Sequence, residues 1–159
     1  MININNAVQF QHLIWDRIMK SASVVVDATC GNGHDLLYLA ERAQSECHLY
    51  GIDIQEQAVS ASRELLASKR LQSNVTITFL HNSHDIALHQ EIKENTIDLI
   101  IFNLGYLPGG DHSIITRPHN TIEALNNAFP KLAKDGIITI VAYPGTSEGM
   151  EEKEALHEY

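Results

Sequence analysis

The stretch Val24-Val25-Val26-Asp27-Ala28-Thr29-Cys30-Gly31-Asn32-Gly33-His34-Asp35 decides how this chain folds. Three consecutive valines predict a strand buried on both faces, because a strand with one wet face alternates apolar and polar residues. Gly31 and Gly33 predict a tight turn that lets a ligand approach the main chain, and the patterned segment beginning at His34 predicts a helix. The first amides of such a helix lack intrahelical partners and point outward. Strand, glycine turn and helix together make a cradle for a small molecule, with Asp27, Cys30, Gly31, Asn32, Gly33 and Asp35 as its candidate contacts.

What the cradle holds follows from what its turn lacks. A dinucleotide site uses Gly-x-Gly-x-x-Gly, and Leu36 stands at the third glycine position. Asp27 and Asp35 put a carboxylate on either side of the loop, which repels phosphate and suits a cation. S-adenosylmethionine carries a sulfonium and an ammonium, has no phosphate and offers ribose hydroxyls, so it is the preferred cofactor. A nicotinamide-dependent oxidoreductase is the rival from another class, and a noncatalytic adenosylmethionine-binding module is a third reading.

The remaining chain alternates strands with helices, the pattern of an α/β fold. Val8, Leu13, Ile14 and Ile18 share one side of a helix from about Ala7 to Lys20, with Phe10, His12 and Trp15 near its margins, so residues 1–22 are expected to cover the sheet. Leu36, Leu37, Leu39 and Ala40 pattern the first crossover helix, and His48 to Asp53 forms the next strand. Asp53 falls 20 residues after Gly33, the spacing at which a strand-end acid meets a ribose. Ile54 and Gln55 follow on the same rim. Ala58, Val59, Ser62, Leu65 and Leu66 pattern a helix to about Leu71, and Val75 to Leu80 is a third strand. Ligands of open α/β sheets lie beyond the carboxyl ends of the strands, so Ser83 and His84, just after that strand, are candidates to contact adenine.

A fourth strand, Ile97 to Phe102, delivers Asn103 through Asp111 to the rim. An Asn carboxamide can orient an amine nucleophile without adding charge, and a tyrosine such as Tyr106 can present its ring to a base. Asn103 and Tyr106 are therefore the candidate catalytic pair, with Asn103 also a candidate cofactor contact; His119 or Asp111 could take a proton, and Arg117 could meet a phosphate or a carboxylate. Thr121 to Leu132 reads as a helix with Pro130 near its end, Gly136 to Tyr143 as a fifth strand, and another helix begins near Ser147.

At 159 residues the chain is expected to form one domain, residues 1–159. With 11 Lys+Arg against 20 Asp+Glu its net charge is −9, the opposite of the usual nucleic-acid binder, so a purely electrostatic grip on RNA is disfavoured. Cys30 and Cys47 have neither metal-ligand spacing nor the density of a disulfide framework, which argues for a reduced, cytoplasmic setting and no metal. No signal-peptide pattern opens the sequence, and no run approaches the ~18 apolar residues of a membrane span.

The Asp-x-x-x-Gly-x-Gly pattern at 27–33 resembles the first motif of class I methyltransferases. Together with Gly51-Ile52-Asp53-Ile54-Gln55, Phe102-Asn103-Leu104-Gly105-Tyr106-Leu107-Pro108-Gly109-Gly110-Asp111 and Ser147-Glu148-Gly149, it resembles a small bacterial family long described as rRNA methylases. That family is associated with methylation of the 5-aminomethyl group on the wobble uridine of tRNA. The resemblance implies a Rossmann-like class I methyltransferase sandwich with parallel sheet order 3-2-1-4-5. It also implies S-adenosylmethionine as cofactor, released as S-adenosylhomocysteine. Its implied cofactor contacts are Asn32, Asp35, Asp53, Gln55, Ser83 and His84, with a substrate pocket around Asn103 and Tyr106 and tRNA as the partner. Asn103 to Tyr106 is similar to the Asn-Pro-Pro-Tyr loop of amino-methylating enzymes, with Leu104 and Gly105 replacing the prolines. A nitrogen of an rRNA base and a small amine are alternative acceptors. The usual sixth and seventh strands have no residues here; they would need about 25 to 30 more, so a C-terminal truncation is expected. A homodimer that gathers the few basic residues into one groove is the expected way for so acidic a chain to hold RNA.

Overall fold

The computed structural model describes residues 7–105, 107, 109 and 115–159. The valine run forms β1 (Val24–Asp27) at the centre of the sheet, because only a strand apolar on both sides can be covered on both sides. Beside it lie β2 (Cys47–Asp53) and β4 (Ile97–Asn103), with β3 (Val75–His81) outside β2 and β5 (Leu132–Val141) outside β4. All neighbours run parallel, in the order β3-β2-β1-β4-β5 expected from the sequence.

Successive strand residues point to opposite faces and build two cores. On one face Val25, Leu49, Leu99 and Ile101 meet Trp15 of α1 (Ala7–Ile18), Leu36 and Leu39 of α2 (His34–Ala40) and Leu66 of α3 (Glu56–Ala67). On the other, Val26, Tyr50, Ile100 and Phe102 meet Leu88, which follows the short α4 (His84–Ile86), and Leu125 of α5 (Pro118–Ala128). Leu156 of α6 (Ser147–Glu158) packs at the margin of this second core. Ile97 packs in the second core although Leu99 belongs to the first, and the β4–β5 register shifts between these two residues.

Several boundaries differ from the sequence reading for local reasons. The buried residues of α1 are Gln11 and Trp15, so Trp15 is the centre of the packed face and not its margin. Its indole is fully buried and donates from Nε1 to Thr139 Oγ1 on β5 at 3.1 Å, tying α1 to the sheet. Helix α3 stops at Ala67, short of Leu71, where Ser68 turns its hydroxyl back to the Leu65 carbonyl at 2.7 Å. Helix α5 begins at Pro118 rather than Thr121, since proline suits a first helical turn. It ends at Ala128, because Pro130 cannot donate; Phe129–Lys131 tightens into a 3₁₀ turn, and β5 opens at Leu132, ahead of Gly136.

Replacing Trp15 by Ala removes the largest side chain of the α1 face together with its bond to Thr139. Urea denaturation is expected to show a loss of about 3 to 5 kcal/mol, with α1 detached from the sheet.

Candidate functional site

The chain reverses direction across the sheet between β1 and β4. Helix α2 leaves β1 toward the Trp15 core, whereas α5 follows β4 on the Phe102 core, so the loops after these neighbouring strands part to opposite faces. A crevice at the carboxyl edge results. It is a cleft of about 930 Å³, walled by the glycine turn, the ends of β2 and β4, and the segment from Tyr143 to Thr146.

The glycine turn is held by its backbone and by a serine. Gly33 has φ 83°, and a Cβ there would stand 2.7 Å from Ser62 Oγ and 2.8 Å from Ser62 Cα, so only glycine fits. Ser62 is fully buried and donates to the Gly31 carbonyl at 2.8 Å. Leu36, at the position where a dinucleotide site has its third glycine, is also fully buried. Its Cδ2 would lie 2.7 Å from a Cβ on Gly51, so the close helix–strand approach is granted by Gly51 of β2 instead.

Two acids brace this turn. Asp53 Oδ2 accepts from the Gly31 N–H at 3.0 Å and Oδ1 from the Gln55 N–H at 2.9 Å. Burial raises its carboxyl above the ordinary range, and those two donors hold the rise back. Asp27 is almost wholly buried and accepts from the Thr29 N–H at 3.2 Å. Burial, and then the like charge of Asp35, drive its carboxyl well above the ordinary range. Asp27 and Gly33, expected as direct cofactor contacts, support the cradle from beneath and are not on the cleft wall.

The opposite wall is organised around Asn103. Its backbone N–H donates to Thr29 Oγ1 at 2.7 Å, and its Nδ2 donates to Asp35 Oδ2 at 2.7 Å. Asp35 Oδ1 accepts from His12 Nε2 at 3.1 Å. Asn103 Oδ1 is buried and has no hydrogen-bond partner. His84 packs edge-on against Phe102, with ring centroids 5.7 Å apart, and burial lowers its imidazole pKa. Its buried Nε2 has no hydrogen-bond partner. Beyond Asn103, Thr116 Oγ1 accepts from the Gly105 N–H at 2.9 Å and donates to Glu152 Oε2 at 2.6 Å. Thr121 donates to Glu152 Oε1 at 2.6 Å, so one buried carboxylate of α6 clamps the loop after β4.

Of the residues singled out in the sequence, Cys30, Gly31, Asn32, Asp35, Asp53, Ile54, Gln55, Ser83, His84, Asn103 and Arg117 meet on the cleft wall. His119 does not: its side chain is 86% exposed, 3.6 Å from Glu123, and no part of it borders the cleft, so its position gives no support to a proton-accepting role there. Tyr106 and Asp111 lie outside the described residues. The sequence reading missed Tyr143, half-exposed on the wall, although its place at the end of the fifth strand was a usable signal. Val8 and His12 belong to the helix expected to cover the sheet, with closing over the cofactor as the lesser reading; Val8 borders the cleft and His12 reaches Asp35. Cys30 and Cys47 are buried and unpaired, and no metal-holding cluster of His, Cys, Asp or Glu occurs among the described residues. No helix among the described residues is long and apolar enough to cross a membrane.

Residues 49–159 match the protein family described as "Putative rRNA methylase". The chain belongs to this family. It is 39% identical to the "putative rRNA-methylase" of Clostridium thermocellum, whose crystal structure it matches with a TM-score of 0.88 over 99% of this chain and 82% of that one. A "putative methyltransferase" of Streptococcus mutans, crystallised in complex with SAH, matches at 30% identity and a TM-score of 0.82, over 98% of this chain and 81% of that one. The chloroplastic tRNA (mnm(5)s(2)U34)-methyltransferase of Arabidopsis thaliana is 32% identical over 96% of this chain. The chain spans 58% of that relative's length. The five-stranded order and these neighbours define the fold as that of a class I methyltransferase.

The raised carboxyl of Asp27 has a pH signature. Between the ordinary carboxylate pKa of the unfolded chain and the higher native value, the native state holds a proton that the unfolded state has lost, so stability falls as pH rises through that window. Asp27→Asn cannot titrate. Urea midpoints measured from about pH 5 to about pH 8 should fall less for this variant than for the wild type, and parallel curves would assign the slope to other groups.

Proposed function

We propose that this chain is an S-adenosylmethionine-dependent methyltransferase that methylates the amine of 5-aminomethyl-(2-thio)uridine at the wobble position of tRNA. The observation that carries the reading is Asn103 Oδ1, an acceptor buried without a partner on the wall of a cleft built at a glycine turn. The name of the Arabidopsis relative supports the acceptor, and the SAH bound to the Streptococcus mutans protein supports the cofactor.

The residues present fit that cofactor. Each Asp53 oxygen spends one lone pair on a backbone N–H and keeps another for a ribose hydroxyl. The unpartnered Nε2 of His84 can accept from an adenine amino group, and Asp35 offers negative charge to a cation. S-adenosylmethionine supplies a methyl group already activated on a sulfonium, so the protein's task is orientation. Asn103 Oδ1 accepts one N–H of the neutral amine and turns the nitrogen lone pair toward the methyl carbon. The N–C bond forms as the S–C bond breaks, and the proton lost from nitrogen leaves for solvent. An alkylammonium must first lose a proton, so turnover should rise with pH until the neutral amine predominates. The net charge of −9 favours a second acceptor class, a small free amine, served by the same pocket.

Calorimetric titration with S-adenosylmethionine and with NAD, followed by mass analysis of wobble nucleosides after incubation with tRNA, tests the reading. Adenosylmethionine binding and a gain of one methyl on aminomethyl-uridine are expected; binding without that gain would point to another acceptor, and preferential NAD binding would overturn the cofactor. Asn103→Ala should lower kcat by about a hundredfold or more while cofactor affinity is retained, and unchanged turnover would remove Asn103 from the mechanism.

A further inference from the structure

We propose that His12 is a positioning residue, fixing the carboxamide of Asn103 through Asp35. The proposal rests on the methyl-transfer reading above and concerns which end of that amide the acceptor amine meets. An amide can present either of two chemically opposite groups. A carbonyl oxygen accepts an amine N–H and leaves the nitrogen lone pair free to attack, whereas an NH₂ donates to that lone pair and blocks it. Selection of the oxygen is therefore a condition for turnover, and Asn103 cannot make it alone.

Asp35 makes the selection. Its Oδ2 takes the Asn103 Nδ2 at 2.7 Å, which assigns the donor end of the amide and leaves Oδ1 as the orphan acceptor. A carboxylate bonded through one oxygen can still rotate, but here Oδ1 is held by His12 Nε2 at 3.1 Å. The two oxygens are claimed by different elements, Oδ1 by His12 of α1 and Oδ2 by Asn103 at the end of β4, and the plane of the carboxylate is set.

The imidazole is itself held on two sides. It stacks on Tyr38 with centroids 3.6 Å apart at 21°, and Trp15 lies 4.9 Å away. Tyr38 is fastened in turn, donating from its hydroxyl to Asp16 Oδ1 at 2.8 Å beneath an Arg42 guanidinium 3.4 Å above its ring. Arg42 Nε donates to the same Asp16 oxygen at 2.8 Å, so α1 and α2 share one locked corner. His12 and Asp35 both precede residue 49, where the family match begins.

Two substitutions separate the donor from the packing. His12→Phe keeps a ring against Tyr38 and deletes the N–H; His12→Gln gives up the ring and restores an N–H at similar reach. With aminomethyl-uridine tRNA, His12→Phe should lower kcat by about tenfold to a hundredfold. Its melting temperature and its Kd for S-adenosylhomocysteine should stay near wild type, and His12→Gln should recover most of kcat. A wild-type kcat in His12→Phe, or equal losses in both variants, would overturn the proposal. If the wild type methylates no tRNA at all, the reading of the acceptor has failed, and the positioning is read directly from the Asn103 side-chain amide by ¹H–¹⁵N NMR. A hydrogen-bonded Nδ2 proton that is lost in His12→Phe and regained in His12→Gln supports the proposal; identical amide signals in all three proteins overturn it.

Discussion

The hydrogen bond from the Asn103 backbone N–H to Thr29 Oγ1, at 2.7 Å, joins the two loops on which the cleft depends. Strands β1 and β4 pair through Val25, Val26 and Asp27, and the ladder extends one residue further through the Ala28 N–H and the Ile101 carbonyl at 2.9 Å. Beyond that point the chains must separate, because their helices belong to opposite faces. A side-chain bond takes over where the backbone ladder ends. On the far side the Leu104 N–H donates to the Val141 carbonyl at 2.8 Å. Held from both neighbours, the end of β4 is a rigid base for the Asn103 side chain, the kind of mounting that lets a site act by orientation.

The same crevice gathers negative charge. Asp27, Asp35 and Asp53 all surround the glycine turn; burial raises the carboxyls of Asp27 and Asp53, and the like charge of Asp35 adds to the rise at Asp27. The protein answers with donors rather than cations: Thr29 for Asp27, Gly31 and Gln55 for Asp53, His12 and Asn103 for Asp35. Such an arrangement welcomes a cationic ligand and repels phosphate. Arg117 is the one arginine or lysine among the described residues of the wall, and the chain as a whole carries −9. Recognition of a polyanion by this surface would therefore have to rest on shape and base contacts more than on long-range attraction.

Glu152 does for the far wall what Asp35 does for the near one. It is fully buried in α6, each oxygen takes one threonine hydroxyl, and through Thr116 it reaches the Gly105 N–H. Both walls thus consist of a loop at a strand end, secured by a carboxylate whose two oxygens are claimed by different segments. A site built this way has few soft degrees of freedom.

Much of this was legible in the amino-acid order, because the relevant physics is local. Apolar runs such as Val24–Val26 and Ile97–Phe102 read as buried strands, the glycines at 31 and 33 mark a turn, and Asp27 and Asp53 end two of the strands beside it. Those features sufficed for the strands and for most of the cleft wall, whereas the sheet order was implied by the family resemblance. The boundaries of α3, α5 and β5 were less legible, since caps and proline turns act within a residue or two. What only the tertiary structure decided are relations between distant positions: Gly51 making room for Leu36, Trp15 reaching Thr139, His12 meeting Asp35, and His119 remaining outside. Periodicity states which way a side chain faces along its own element. Which group it meets depends on how elements pack against one another, and there the closing distances are set by side chains far apart in the chain.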